Sequence, residues 1–168
     1  ELNFRYDPNK RRNQSTLKNN DQIVETKTYL SGMEIIEGNG TTQNVHYIRG
    51  GDGLAAIYVE KNGVGNYYFV ATDYLGSILT LADKNGNIVK EQSFDAWGRY
   101  RNIEDWSYED VNPPSLETDG DFTWLRGYTG HEHLVQFSLI HMNGRVYDPL
   151  LGRMLSPDNY IHSELGTQ

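Results

Sequence analysis

The chain has 168 residues, enough for one ordinary domain, and a formal net charge of −8 that argues against a phosphate-binding surface. It lacks cysteine, which excludes disulfides and thiolate metal sites, and no apolar run approaches the roughly 20 residues of a membrane helix. With 17 Gly, 12 Tyr and frequent Asn, and without long Ala/Leu/Glu/Lys runs, the composition predicts an all-β fold of short strands and positive-φ turns.

The opening "ELNFRYDP" has no initiator Met, charged n-region or apolar h-region, so it reads as a piece of a longer polypeptide. Turn signals then recur at short intervals: "LSGME", "EGNGT", "RGGDG", "KNGVGN", "DYLGS", "DKNGN" and "DAWGR". Between them lie alternating segments. In "LAAIYVEKNG", Ile57 and Val59 share one strand face, with Tyr58 and Glu60 on the other. Asn85-Gly86, between "ILTLAD" and "NIVKEQSF", is the strongest hairpin signal, and it predicts a type I′ turn with φ > 0 at both residues.

The spacing is regular, because Asp52, Asp73 and Asp95 lie 21 and 22 residues apart. Asp73 and Asp95 share the frame Asp-x-x-Gly, Asp148-Pro-Leu-Leu-Gly152 is one residue longer, and "RYDPNKRR" starts a similar unit at Asp7. A two-strand unit of about 20 residues cannot bury its own apolar face, so the units must stack into an array. The stretch "RNIEDWSYEDVNPPSLETDGDFTWLRG" breaks the period. Pro113-Pro114 and its acidic residues predict an irregular excursion, and Trp106, Tyr108, Phe122 and Trp124 suggest that it packs against something. Beyond it, "HEHLVQFSLIHMNGRVYD" is expected to hold at most one helical turn, then a hairpin through Asn143-Gly144. The expected organisation is a hairpin array over 1–100, an acidic insertion over 101–126 and a closing motif over 127–168.

"FRYDPNKR", "SFDAWGR" and "RVYDPLLGRMLSPDN" resemble the YD repeats of Rhs proteins. "RGYTGHEHL" followed by "LIHMNGRVYDPLLGRMLSPDNYI" is similar to the Rhs-repeat-associated core, in the version common in Bacteroidetes-type sequences. The resemblance covers nearly everything from Tyr67 onward, and the N-terminal part more weakly. It implies strand-turn-strand units that spiral into a hollow β-shell. It also implies a core that closes the shell ahead of a variable C-terminal domain, often a toxin, in an exported, cell-surface or secreted protein. In toxin-complex members, the core cleaves itself from that domain as an aspartyl autoprotease.

Three sets of residues are candidates for chemistry. Asp148 in "YDP" and Asp158 in "SPD", ten positions apart, match the motif of the autoproteolytic core, and an aspartyl protease needs two carboxylates that share one proton. Arg145 or Arg153 would orient a carboxylate. The autoproteolytic members have a second Asp-Pro where this chain has Asp158-Asn159. The competing reading is turn chemistry, since Asp caps tight turns and Asp7, Asp73 and Asp95 sit in similar frames. The second set is His131, His133 and His141. A His-x-His pair on a strand puts both rings on one face, as in many metal pairs, with Glu132 pointing the other way. No third ligand is fixed by spacing, and no metal or other cofactor is expected; hydrogen bonding to the shell wall is the alternative. Third, Tyr67, Tyr68, Phe69, Tyr74, Trp97, Trp106, Tyr108, Trp124 and Tyr128 form either a glycan platform or cross-strand glue.

The function expected from the sequence is a scaffold segment enclosing or presenting a C-terminal effector, with an autoprotease or a glycan-binding module as alternatives. Expected partners are that effector domain and the upstream YD repeats, with no nucleic acid. An open sheet edge is expected to favour an edge-strand homodimer.

Overall fold

The computed structural model describes residues 1–38, 40–109, 111 and 125–158. Nine antiparallel strands form one sheet in strict sequence order: β1 (Leu2–Tyr6), β2 (Arg12–Asn19), β3 (Gln22–Leu30), β4 (Met33–Gly38), β5 (Thr41–Gly50), β6 (Gly53–Lys61), β7 (Val64–Thr72), β8 (Ile78–Ala82) and β9 (Ile88–Glu91). β10 (Ser93–Phe94) and β11 (Tyr100–Arg101) form a small ladder. β12 (Glu132–Leu134), β13 (Leu139–Met142), β14 (Arg145–Asp148) and β15 (Arg153–Met154) make a four-stranded sheet. Single 3₁₀ turns at Tyr128–Gly130 and Val135–Phe137 are the helical elements among the described residues. The all-β array of stacked hairpins expected from composition and spacing is therefore what forms.

Register fixes the core. Tyr47 faces Ile57, Ile57 faces Tyr68, Val45 faces Val59, and Val70 faces Leu81. These pairs share one sheet face, where Ile36, Val45, Ile57, Val59, Tyr68, Ile78 and Leu81 are buried as one cluster. The other face carries a tilted ladder of His46, Tyr58 and Tyr67, with ring centroids 5.8 and 4.7 Å apart. Gly65 belongs to that ladder, since a Cβ there would stand 1.9 Å from the Tyr58 hydroxyl. The two faces of "LAAIYVEKNG" are thus distinct, as alternation predicts.

The turns repeat one device. Asp73 Oδ1 accepts the amides of Leu75 and Ser77 at 2.9 and 2.7 Å, while Gly76 N–H donates to Asp73 O at 3.0 Å. Asp83 does the same with Asn85, Asn87 and Gly86, and Asp95 with Trp97, Arg99 and Gly98. At Asp7 the positive-φ position belongs to Lys10. Asp52 instead lies in the two-residue link between the paired Gly50 and Gly53.

This frame corrects the expectation at Asn85-Gly86. Gly86 has φ +84, whereas Asn85 is not among the positive-φ residues, so the link is an Asp83-capped turn closed by one left-handed glycine. The aspartate two residues earlier wins because its carboxylate satisfies two amides that a bare type I′ turn leaves to water. Two-residue hairpins with both central residues at positive φ occur at Asn20-Asp21 and Asn62-Gly63 instead. The hairpin through Asn143-Gly144 forms as expected, pairing Met142 with Arg145. The excursion begins with an Asn102-capped turn, and Tyr108 folds back so that its hydroxyl donates to Asp95 at 3.0 Å. The expectations for Pro113-Pro114, Phe122 and Trp124 lie outside the described residues.

Two glycines in this frame should respond differently to substitution. A Cβ on Gly86 meets nothing within 4 Å, but on Gly98 it meets the Tyr128 ring at 2.6 Å. Gly86→Ala should cost about 1 kcal/mol, from the positive φ alone. Gly98→Ala should cost roughly 1–3 kcal/mol more, from overpacking. Urea midpoints of the two variants read the difference.

Candidate functional site: a buried ion cluster between sheet and core

The core motif approaches the large sheet through a hairpin. Gly127 N–H donates to His131 O at 3.0 Å, and His133 N–H donates to Leu125 O at 2.7 Å. Ile78 N–H donates to Gly127 O at 3.0 Å, and Gln92 Nε2 donates to Ile78 O and Arg126 O at 2.6 and 3.0 Å. Only glycine fits at 127, where a Cβ would stand 2.5 Å from the Phe94 ring. The backbone of "RGYTGHEH" is thereby locked to the start of β8.

That placement drives two side chains into the sheet. Glu132, 4% exposed, takes Lys27 Nζ at 2.6 Å on one oxygen and Arg12 Nη2 at 2.5 Å on the other. The Tyr29 hydroxyl donates to the same carboxylate at 2.9 Å and pairs with Ser15 Oγ at 3.0 Å. Arg126 pairs with buried Glu34, and its Nε donates to Tyr47 OH at 2.9 Å. Two ion clusters thus join β2–β5 to residues 120 and 92 positions away in the chain. Arg12 also lies over the Tyr29 ring, 4.0 Å from its centroid.

The charges support each other. Burial alone would raise the Glu132 carboxyl, but Lys27, Arg12 and Arg126 outweigh it and hold the group well below the usual carboxylate range. Burial opposes the charge on Lys27, yet Glu132 and its neighbours hold the ammonium above its ordinary value. Burial and the Glu34 charge push the Tyr47 phenol up, so it stays a neutral hydrogen-bonding partner.

The histidines occupy separate niches. His131 precedes the strand, with Nδ1 2.8 Å from Thr129 Oγ1. His133 turns away from Glu132 and packs on Phe94 and Tyr100, at 5.3 and 4.7 Å between centroids, while Nε2 accepts the Tyr128 amide at 3.0 Å. His141, paired across strands with Glu132, stands edge-on to Phe4. Desolvation, reinforced by His131, pushes His133 down to about 3; desolvation, reinforced by Arg12, pushes His141 down to about 4. Among the described residues, no group of three or more His, Cys, Asp or Glu could hold a metal ion.

The aspartates are placed differently from each other. Asp148 Oδ1 accepts the amides of Leu150 and Leu151 at 2.8 and 3.0 Å, with Gly152 at φ +64, so it caps its turn as Asp73 and Asp95 do. Asp158 is paired with Arg145 at 3.1 Å, and Arg153 sits opposite Asp148 in the ladder. Of the aromatics, Tyr58, Tyr67, Phe94, Tyr100 and Tyr128 contact other rings, and Trp97 lies against Gly152. Trp124 lies outside the described residues. Sequence reasoning took the flanking histidines of "HEH" as the candidates and missed Glu132 between them. The available signal was that Glu132 is the one acid between Asp121 and Asp148.

The teneurin YD-shell family model matches residues 2–168. The chain belongs to the teneurin YD-shell family. Its resemblance to Rhs/YD-repeat proteins is borne out by that match. Chicken (Gallus gallus) teneurin-1 is 29% identical over 101 residues, covering 60% of this chain and 3% of the relative. Human (Homo sapiens) teneurin-4 is 29% identical over 111 residues, covering 66% and 4%. Among solved structures, TcdB2-TccC3 superposes with a TM-score of 0.69 at 20% identity, covering 94% of this chain and 8% of that one. TcdB2-TccC3-Cdc42 gives 0.60 at 17% identity, covering 94% and 9%. At this identity the likeness concerns the fold. The YD-shell segment described here spans 3–4% of the length of these curated relatives.

Breaking the cluster should be severe. Glu132→Gln strands two buried cations, so it should cost roughly 3–5 kcal/mol. Arg145→Gln, removing a partly exposed pair, should cost under about 1 kcal/mol. Urea unfolding compares them.

Stability should also fall in acid. The folded-state pKa values of His133 and His141 lie below the unfolded value near 6.5, so the folded state binds fewer protons. Their stabilisation is complete above roughly pH 6.5 and is lost as pH falls toward about 4 and then 3. Glu132, also depressed, adds a loss below its ordinary range near 4.3. Thermal midpoints from pH 7.5 to 4 should therefore decline, and His133→Gln should flatten the curve above pH 4.

Proposed function

We propose that this chain forms the closing part of the wall of a YD shell that encloses or presents a C-terminal effector of an exported protein. The observation that carries this reading is the pair of buried ion clusters. They seat the 126–133 hairpin on the face of the YD-repeat sheet that holds its core. A wall segment whose last part is bolted onto its own sheet suits closure better than turnover. The reading draws support from TcdB2-TccC3, which was also solved without its hypervariable C-terminal region. Upstream repeats would join along the outer edge of β1, a terminal strand of the sheet; an edge-strand homodimer would use the same edge.

The test uses the full-length protein. A protease too large to enter the shell should leave the effector intact in the wild type. In Glu132→Lys, which adds a third cation to the buried cluster, the effector should be digested. Equal digestion of both proteins would overturn the shell reading.

A second reading, an aspartyl autoprotease, draws on the Arg145–Asp158 pair, which returns "SPD" to the strand that ends at Asp148. The two readings part on a gel of the full-length protein. The scaffold expects Asp148→Asn to lower stability by about 1 kcal/mol through its cap and to leave the bands unchanged. The autoprotease expects two bands in the wild type, and one in both Asp148→Asn and Asp158→Asn.

A further inference from the structure

The buried charges and imidazoles of this protein are gathered in one place. Among the described residues, the buried lysine, carboxylates and histidines are Lys27, Glu34, Glu132, His133 and His141. All of them lie where the core motif meets the large sheet. The sheet's own buried cluster, from Ile36 to Leu81, holds no acid, lysine or histidine. His46 stands on the opposite face of the sheet, half-buried in the outer ladder.

Two of these groups fit the seat only without an added proton. His133 Nε2 accepts the Tyr128 amide at 3.0 Å, so a proton on that nitrogen would set two N–H groups against each other. Phe94 and Tyr100 pack on its ring. Burial and His131 oppose a charge there, as does Lys90, while Glu132 favours one. His141 Nδ1 and Arg12 Nη1 are both buried without a hydrogen-bond partner. Burial opposes a charge on the His141 ring, and so do Arg12 and His131. Glu132 favours that charge, but its carboxylate is already taken by Lys27, Arg12 and Tyr29. Opening the seat returns both imidazoles to water, where they take protons below about pH 6.5.

We propose that the seat is a proton-operated latch: acid detaches the 126–133 hairpin, with its four-stranded sheet, while the nine strands stay paired. The latch is a property of the seat itself; its use, opening the wall around an effector, rests on the shell reading. Linkage sets the size of the effect. Each imidazole that gains a proton on opening raises the open population about thirtyfold between pH 7.5 and 5, and the two together raise it on the order of a thousandfold. The nine strands bury no histidine, so no such uptake favours their separation.

Hydrogen exchange of the full-length protein, corrected for the intrinsic pH dependence of amide exchange, tests the latch. The Ile78 and Thr129 amides bridge the two parts, to Gly127 O and Ser77 Oγ, and report the seat. The amides of β6, paired on both sides, report the sheet. From pH 7.5 to 5 the seat amides should lose about a thousandfold in protection, and those of β6 less than about tenfold. In His133→Gln, whose side-chain oxygen can still accept from Tyr128 without titrating, the seat should lose only about thirtyfold, and His141→Gln should do the same. Both variants are read as a slope against pH, so a general loss of stability does not imitate the result. Equal loss at the seat and in β6 would overturn the proposal, as would a wild-type fall that neither variant reduces. Protease added at pH 5 separates the shell reading: an effector still resistant while the seat amides exchange would sink that reading and leave the latch standing.

Discussion

The carboxylate of Glu132 is the point on which the rest of the structure depends. It carries two cations and a phenol from β2 and β3 within hydrogen-bonding distance, in a site shielded from water. A buried ion pair is seldom a net source of stability, because desolvation offsets most of the attraction. Its value here is positional. An apolar contact tolerates sliding, whereas one carboxylate facing a lysine, an arginine and a tyrosine is satisfied in one register. Arg126 with Glu34 and Tyr47 repeats the logic six residues earlier, so the hairpin is fixed at two points and cannot rotate.

The need for such fixing follows from the topology. Nine strands in sequence order make only nearest-neighbour contacts, each closed by a short turn. A sheet of that kind is locally determined and globally soft, with one face short of cover. The 126–133 hairpin supplies part of that cover. It connects residues near position 12 to residues near position 132, and β8 to the same hairpin through Gln92 and Ser77. The C-terminal motif therefore acts on the curvature and register of the strands that precede it.

Much of the fold was legible in the sequence, because turns and alternation are local. Asp73 and Asp95 announced their frame by spacing, and the strand faces followed from Ile57 and Val59. Asn85-Gly86 misled because the dipeptide is a strong signal by itself, while Asp83 just before it changes the turn. The site was less legible. Glu132 gains its meaning from Lys27 and Arg12, more than a hundred residues away, and no local pattern encodes that pairing. The histidines drew notice as ligand types, yet burial against Phe94, Tyr100 and Phe4 explains their surroundings.

The aspartates show how one residue type serves two ends. A carboxylate oxygen that accepts backbone amides serves as a cap. A general acid must hold a proton and release it. Asp7, Asp73, Asp83, Asp95 and Asp148 share the capping arrangement, each on the first residue of a turn that a positive-φ residue closes. Asp148 engages the Leu150 and Leu151 amides through Oδ1, so any chemistry there would fall to Oδ2 with the turn kept closed.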